Sequence, residues 1–134
     1  EGFATWAEWR FDEAHGGPSA WRRLQREYAS HPAGDAFWRL QIANPGRARL
    51  FDQPVYDRGA MALQALRHRM GTAAFLTLLR SWVQQHPDAA HGTGTVEEFE
   101  ALAEQVSGQD LGGFFTAWLH TGSRPAATAA NGLR

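Results

Sequence analysis

The chain contains no cysteine, so a disulfide framework, a thiol nucleophile and a thiolate metal site are all excluded. It also lacks an excess of either charge. Thirteen basic residues against fourteen acidic ones leave a formal net charge of -1, and no basic footprint points to nucleic acid or an anionic membrane as a partner. No apolar run approaches the ~18 residues that a membrane-spanning helix needs, and the first residues lack the charged start and apolar core of a signal peptide. There is no initiator methionine: Glu1-Gly2-Phe3-Ala4 runs straight into an amphipathic pattern, which gives the expectation of a piece cut from a longer protein. No GxSxG nucleophile elbow occurs, and Gly92-Thr93-Gly94 lacks the third glycine and following lysine of a phosphate loop.

What is present is helical. Phe3, Trp6, Ala7, Trp9 and Ala14 alternate with Glu8, Arg10, Asp12 and Glu13 in a first helix ended by Gly16-Gly17. Pro18 and Ser19 open a second, with Trp21, Leu24 and Tyr28 on one stripe, closed by His31-Pro32-Ala33-Gly34. Residues 35 to 53 have weak periodicity and an Asn44-Pro45-Gly46 turn, which predicts a long loop with a short helix around Ala36 to Leu40. Pro54 suits the first turn of the next helix, capped by Asp52 or Gln53, along which Tyr56, Gly59, Ala60, Leu63, Leu66 and Met70 recur. Gly71 separates it from a helix defined by Phe75, Leu78, Leu79, Trp82 and Val83, which His86-Pro87 stops. Residues 88 to 94 are turn-rich. Thr95 and Glu98 form a capping box for a helix with Phe99, Leu102, Ala103 and Val106 inward and Ser107-Gly108 at its end. Asp110 caps a last helix carrying Leu111, Phe114, Phe115, Trp118 and Leu119. The fold class is therefore all-α, about six helices in one domain over residues 1–122, with one long loop before the Tyr56 helix and a flexible tail or linker over 123–134.

Chemistry-bearing clusters are sparse. The six histidines make no HxxxH pair. Asp12 with His15 and Glu27 with His31 share helical faces, but each pair sits at a helix end and two ligands hold a metal poorly. His86 and His91 are split by a proline, and His68 lies between Arg67 and Arg69 on a solvated face, so no histidine is assigned as a ligand. Among the tryptophans, Trp21, Trp82 and Trp118 are in phase with apolar stripes; Trp6, Trp9 and Trp38 are less clearly so. Tyr56 sits in the first turn of its helix, where the dipole lowers the cost of nearby negative charge, and on spacing alone reads as a core tyrosine with its hydroxyl at the rim.

Two stretches together add a resemblance. Glu1-Gly2-Phe3-Ala4 resembles the "NEGFA" segment that follows the HExxH helix in zinc aminopeptidases of the aminopeptidase N and leukotriene-hydrolase group. Val55-Tyr56-Asp57-Arg58-Gly59-Ala60 looks like the same family's "YxKGA" stretch, with Arg58 in place of the usual lysine. The run from Phe75 through Trp118-Leu119 to Gly122 and Pro125 is similar to the helical end of those catalytic modules. The resemblance implies that Glu1 is the third zinc ligand and that Tyr56 hydrogen-bonds the oxyanion formed on the peptide carbonyl. It further implies a parent enzyme that uses Zn2+ to hydrolyse N-terminal peptide bonds. Because the HExxH helix would precede residue 1, the chain alone is expected to bind no zinc and to be inactive. Its implied partners are a peptide substrate and the missing N-terminal half of the catalytic module, with neither nucleic acid nor membrane. The alternative from another class is a non-catalytic helical interaction or scaffold domain.

Overall fold

The stretch predicted as a helix from Pro54 forms the centre of the molecule. In the computed structural model, which describes residues 1–86 and 94–134, six helices follow in order: α1 (Gly2–Ala14), α2 (Ala20–Ser30), α3 (Gln53–Met70), α4 (Thr72–Gln85), α5 (Val96–Ser107) and α6 (Gly112–Phe115). There is no strand among the described residues. The residues from Ala60 to Leu66 of α3 are buried without a break, so this helix is surrounded rather than laid on a surface by one face. α1 packs most extensively on it, and α2, α4 and the C-terminal turns close round the remaining sides.

Contacts along the helices fix their directions. Gly2 meets Gly59, and Trp6 reaches Gln64, so α1 runs parallel to α3. Trp21 stacks on His68 while Tyr28 lies against Trp38, which is bonded to Arg58, so α2 runs the opposite way.

Local chemistry explains most boundaries. The Ser19 hydroxyl accepts from the Arg22 N–H at 3.2 Å and starts α2. Thr95 and Glu98 exchange side-chain and backbone hydrogen bonds at 3.2 and 2.8 Å, the reciprocal box expected of them. The stretch from 35 to 53 holds two 3-10 turns, Ala36–Arg39 and Arg47–Arg49, the first capped by Asp35 through the Phe37 N–H. At α6 the N-cap is Leu111 rather than Asp110, whose carboxylate instead accepts from Gly112 at 3.1 Å; the helix then widens into a π turn over Thr116–His120. The predicted turn at 88–94 lies, apart from Gly94, outside the described residues.

The three in-phase tryptophans all pack on or in the core, to different depths. Trp6, Trp9, Trp38 and Trp118 are buried, whereas Trp21 and Trp82 are only partly so. Phasing left the first three open, and partners distant in sequence bury them: Gln64 and Phe75 meet Trp6, and Tyr28 and Arg58 meet Trp38. Val83, counted with the apolar face of α4, is instead 67% exposed.

Residues 123–134, read as a tail or linker, lie along the body. The Tyr28 hydroxyl donates to Pro125 O at 2.7 Å, Arg124 lies 3.7 Å over the Tyr28 ring, and the Trp118 indole N–H donates to Asn131 O at 3.0 Å. Gly132 sits so close to α3 that a Cβ there would be 2.1 Å from Ala65 O.

Candidate functional site

The site suggested by the sequence depends on where α1 begins relative to α3. Two glycines decide it. A Cβ on Gly2 would lie 2.7 Å from Gly59 Cα, and one on Gly59 would lie 2.9 Å from Gly2 Cα, so the helices touch backbone to backbone. This contact sets Glu1, the N-cap of α1, beside the first half of α3. Its carbonyl accepts from Thr5 N at 3.1 Å, while its exposed carboxylate has no hydrogen-bond or ion-pair partner among the described residues.

Tyr56 stands three residues before Gly59, one helical turn along α3. It is partly buried, and its hydroxyl has no partner among the described residues. Glu1 borders a cavity of about 260 Å³ whose walls include Phe3, Val55, Leu63, Phe99 and Phe115. Tyr56 is not among the residues lining it, so the structure brings Glu1 to the turn after Tyr56 without joining both in that cavity.

Beneath this corner lies a residue whose role the sequence did not suggest. Arg58 is fully buried, and its two terminal nitrogens donate to five backbone carbonyls: Trp38, Leu40, Ala117, Thr121 and Ser123, at 2.8 to 3.3 Å. Its guanidinium also stacks 5.5 Å from the Trp38 ring centroid. No carboxylate pairs with it among the described residues. Burial pushes its pKa down to about 10, which still leaves it charged at neutral pH. Arg58 thus fixes the start of α3 to the loop before it and to the π turn. A planar fork suits five converging carbonyls better than an ammonium, so the arginine in place of lysine here is not a neutral exchange. The signal that could have found it is the apolar run around it: a polar side chain on a helix buried all round must carry its partners inside.

The histidine pairs considered as ligands are engaged elsewhere. Asp12 pairs with Arg23, and His15 Nδ1 contacts Phe11 O at 2.7 Å. His31 Nδ1 is 3.1 Å from Asp35 rather than bonded to Glu27. His68 is exposed and stacked on Trp21. His91 lies outside the described residues.

With this geometry in hand, comparison with known proteins gives a consistent class. The chain is similar to Aminopeptidase M1-C of Oryza sativa subsp. japonica, 25% identical over 130 residues that cover 88% of this chain and 14% of that protein. It is similar to Aminopeptidase N of Caulobacter vibrioides, 34% identical over 99 residues, or 74% of this chain and 10% of that protein. A third relative, Probable M1 family aminopeptidase 1 of Encephalitozoon cuniculi, is 22% identical over 96% of this chain and 16% of its own length. No family model and no solved structure matches. The similarity is therefore to M1 aminopeptidases, a class of hydrolase, and the chain spans about a seventh of the length of such relatives.

Proposed function

We propose that these residues are the helical C-terminal part of the catalytic module of a zinc-dependent aminopeptidase that hydrolyses N-terminal peptide bonds. The observation that carries the reading is the Gly2–Gly59 contact, which sets the two family-like stretches side by side although 54 residues lie between Glu1 and Tyr56 in the chain. Similarity to M1 aminopeptidases over most of the chain supports it.

The residues described here do not by themselves make a zinc site. Among them no three histidine, aspartate or glutamate side chains come together. In this reading Glu1 is one metal ligand among others supplied from outside these 134 residues, and the chain alone hydrolyses nothing.

Tyr56 carries the chemistry that belongs to this chain. As water adds to the scissile carbonyl, negative charge grows on its oxygen, and the phenol O–H donates to it. That bond strengthens toward the transition state, so it accelerates turnover rather than merely tightening binding. The start of α3 adds its positive dipole end beneath the developing charge. Arg58 serves as a positioning residue, holding this turn of the helix still.

The test is an aminoacyl-anilide assay, with zinc analysis, on the longer reading frame. Tyr56→Phe is expected to lower kcat on the order of 100-fold with KM little changed. Equal activity of the two forms removes Tyr56 from the reaction.

A further inference from the structure

At the other end of the α1–α3 pair, about 18 Å from Glu1 along α1, lies a second cavity of about 220 Å³. Glu13, Ser19, Trp21, Gln64, Arg67 and Thr72 line it, with His68 stacked on Trp21 at 4.4 Å between ring centroids.

Gln64 is the informative member. It is only 5% exposed, and its side-chain oxygen accepts from the Trp6 indole N–H at 3.0 Å. An indole N–H can only donate, so the orientation of the amide is fixed by chemistry: the oxygen faces Trp6 and the NH2 faces away. That NH2 has no acceptor among the described residues. It is also absent from the polar atoms that are sealed from solvent without a partner, so it opens onto the cavity. Both of its donors are thus available to whatever fills the cavity.

Arg67 stands one turn further along the same face of α3. Its Nε donates weakly to Thr72 Oγ1 at 3.3 Å, and its terminal nitrogens have no partner among the described residues. Glu13, also in the lining, takes both Arg10 and the Ala20 N–H, the latter at 3.0 Å, on one oxygen, Oε2. Burial and then the nearby Arg10 push the Arg67 pKa down, while Glu13 offsets part of this. Arg10 and Arg67 against the one carboxylate leave the corner with a surplus of one positive charge.

We propose that this cavity binds a small monocarboxylate, its oxygens taking the Gln64 amide protons and the unengaged N–H groups of Arg67. A planar amide and a planar guanidinium on one helix face present donors suited to a carboxylate's two oxygens. Glu13 at the wall repels any anion in proportion to its charge, so a phosphate dianion is opposed about twice as strongly as a monocarboxylate. The Trp21–His68 ring pair at the rim provides a flat surface for the body of the acid. The site is independent of the hydrolase reading, since it shares neither Glu1 nor Tyr56.

The test is a titration of the chain with benzoate, acetate, neutral benzamide and inorganic phosphate, followed by 15N–1H spectra of the Gln64 side-chain amide and the Trp6 indole. Benzoate is expected to shift both signals saturably, acetate more weakly, and benzamide not at all. Arg67→Met is expected to weaken benzoate about tenfold or more, and Arg67→Lys to fall between, while thermal unfolding shows both variants folded. Shifts that rise linearly without saturation overturn the proposal. So does benzoate affinity unchanged by Arg67→Met, and so does phosphate binding more tightly than benzoate.

Discussion

A single guanidinium satisfying five main-chain carbonyls is an unusual load for one side chain, and Arg58 shows what it costs to remove. Arg58→Met keeps volume but leaves those carbonyls without their donor in a dry interior. It is expected to lower stability by about 3 kcal/mol or more, read from urea denaturation. Arg58→Lys, with three N–H donors in place of the four on the terminal nitrogens that serve these carbonyls, should fall between the two. Three carboxylates make a second prediction at this scale. Glu13, Asp35 and Glu98 each have pKa values below the ordinary range, chiefly because each accepts a backbone N–H: from Ala20, Phe37 and Thr95 respectively. A carboxyl group whose pKa is lower folded than unfolded binds fewer protons in the native state. Its contribution is therefore complete above the ordinary value and is lost as pH falls through the lowered one. The melting temperature should decline as pH drops below about 4.5, and Glu98→Gln should make that decline shallower.

Among elements, the α1–α3 crossing is the most sharply constrained. Gly59→Ala would gain roughly 1 kcal/mol of helix propensity on an isolated helix. Here the added methyl meets Gly2 Cα at 2.9 Å, and the facing atom is backbone, which cannot swing aside. Overpacking should win, with a net loss of about 1–3 kcal/mol, measured by chemical denaturation. Removing residues 125–134 gives another outcome to check. Trp118 loses the cover of Asn131 and Tyr28 loses its acceptor, so tryptophan emission should shift to the red and the melting temperature should fall. The helices themselves were legible in the sequence because caps and periodicity are local: Ser19, Thr95 with Glu98, and Pro54 each mark a start that the structure has. What was not legible came from contacts between distant elements. The docking of Pro125 and Asn131 rests on Tyr28 and Trp118, and no periodicity in a run of small polar residues announces it. The burial of Trp6 and Trp38 likewise depends on what covers them from elsewhere in the chain.

For the molecule as a whole, the chain by itself is expected to release no anilide from an aminoacyl substrate and to retain no zinc after dialysis, measured by assay and metal analysis side by side. Turnover by the chain alone would overturn the proposed division of the catalytic module. How much of the candidate site was readable follows from the same distinction between local and distant. Glu1 and Tyr56 stood out only through a resemblance, since neither spacing nor composition distinguishes a partly buried tyrosine from a reacting one. Their nearness depends on two glycines whose meeting no local rule anticipates. Nothing in the sequence marks Gln64 or Arg67, because the amide's free donors are defined only once Trp6 has taken its oxygen.

The Arg58 clamp has one more consequence, for how the molecule opens. Residues 38 to 40, the start of α3 and residues 117 to 123 are far apart in the chain, yet they converge on one buried charge. None of these segments can lift away alone without leaving that charge partly unsolvated. Fraying that would otherwise begin at the loop or at the π turn is therefore coupled to the central helix. In native-state hydrogen exchange, amides of these three segments should exchange with one common opening free energy, as a single cooperative unit drawn together by a side chain rather than by adjacency in sequence.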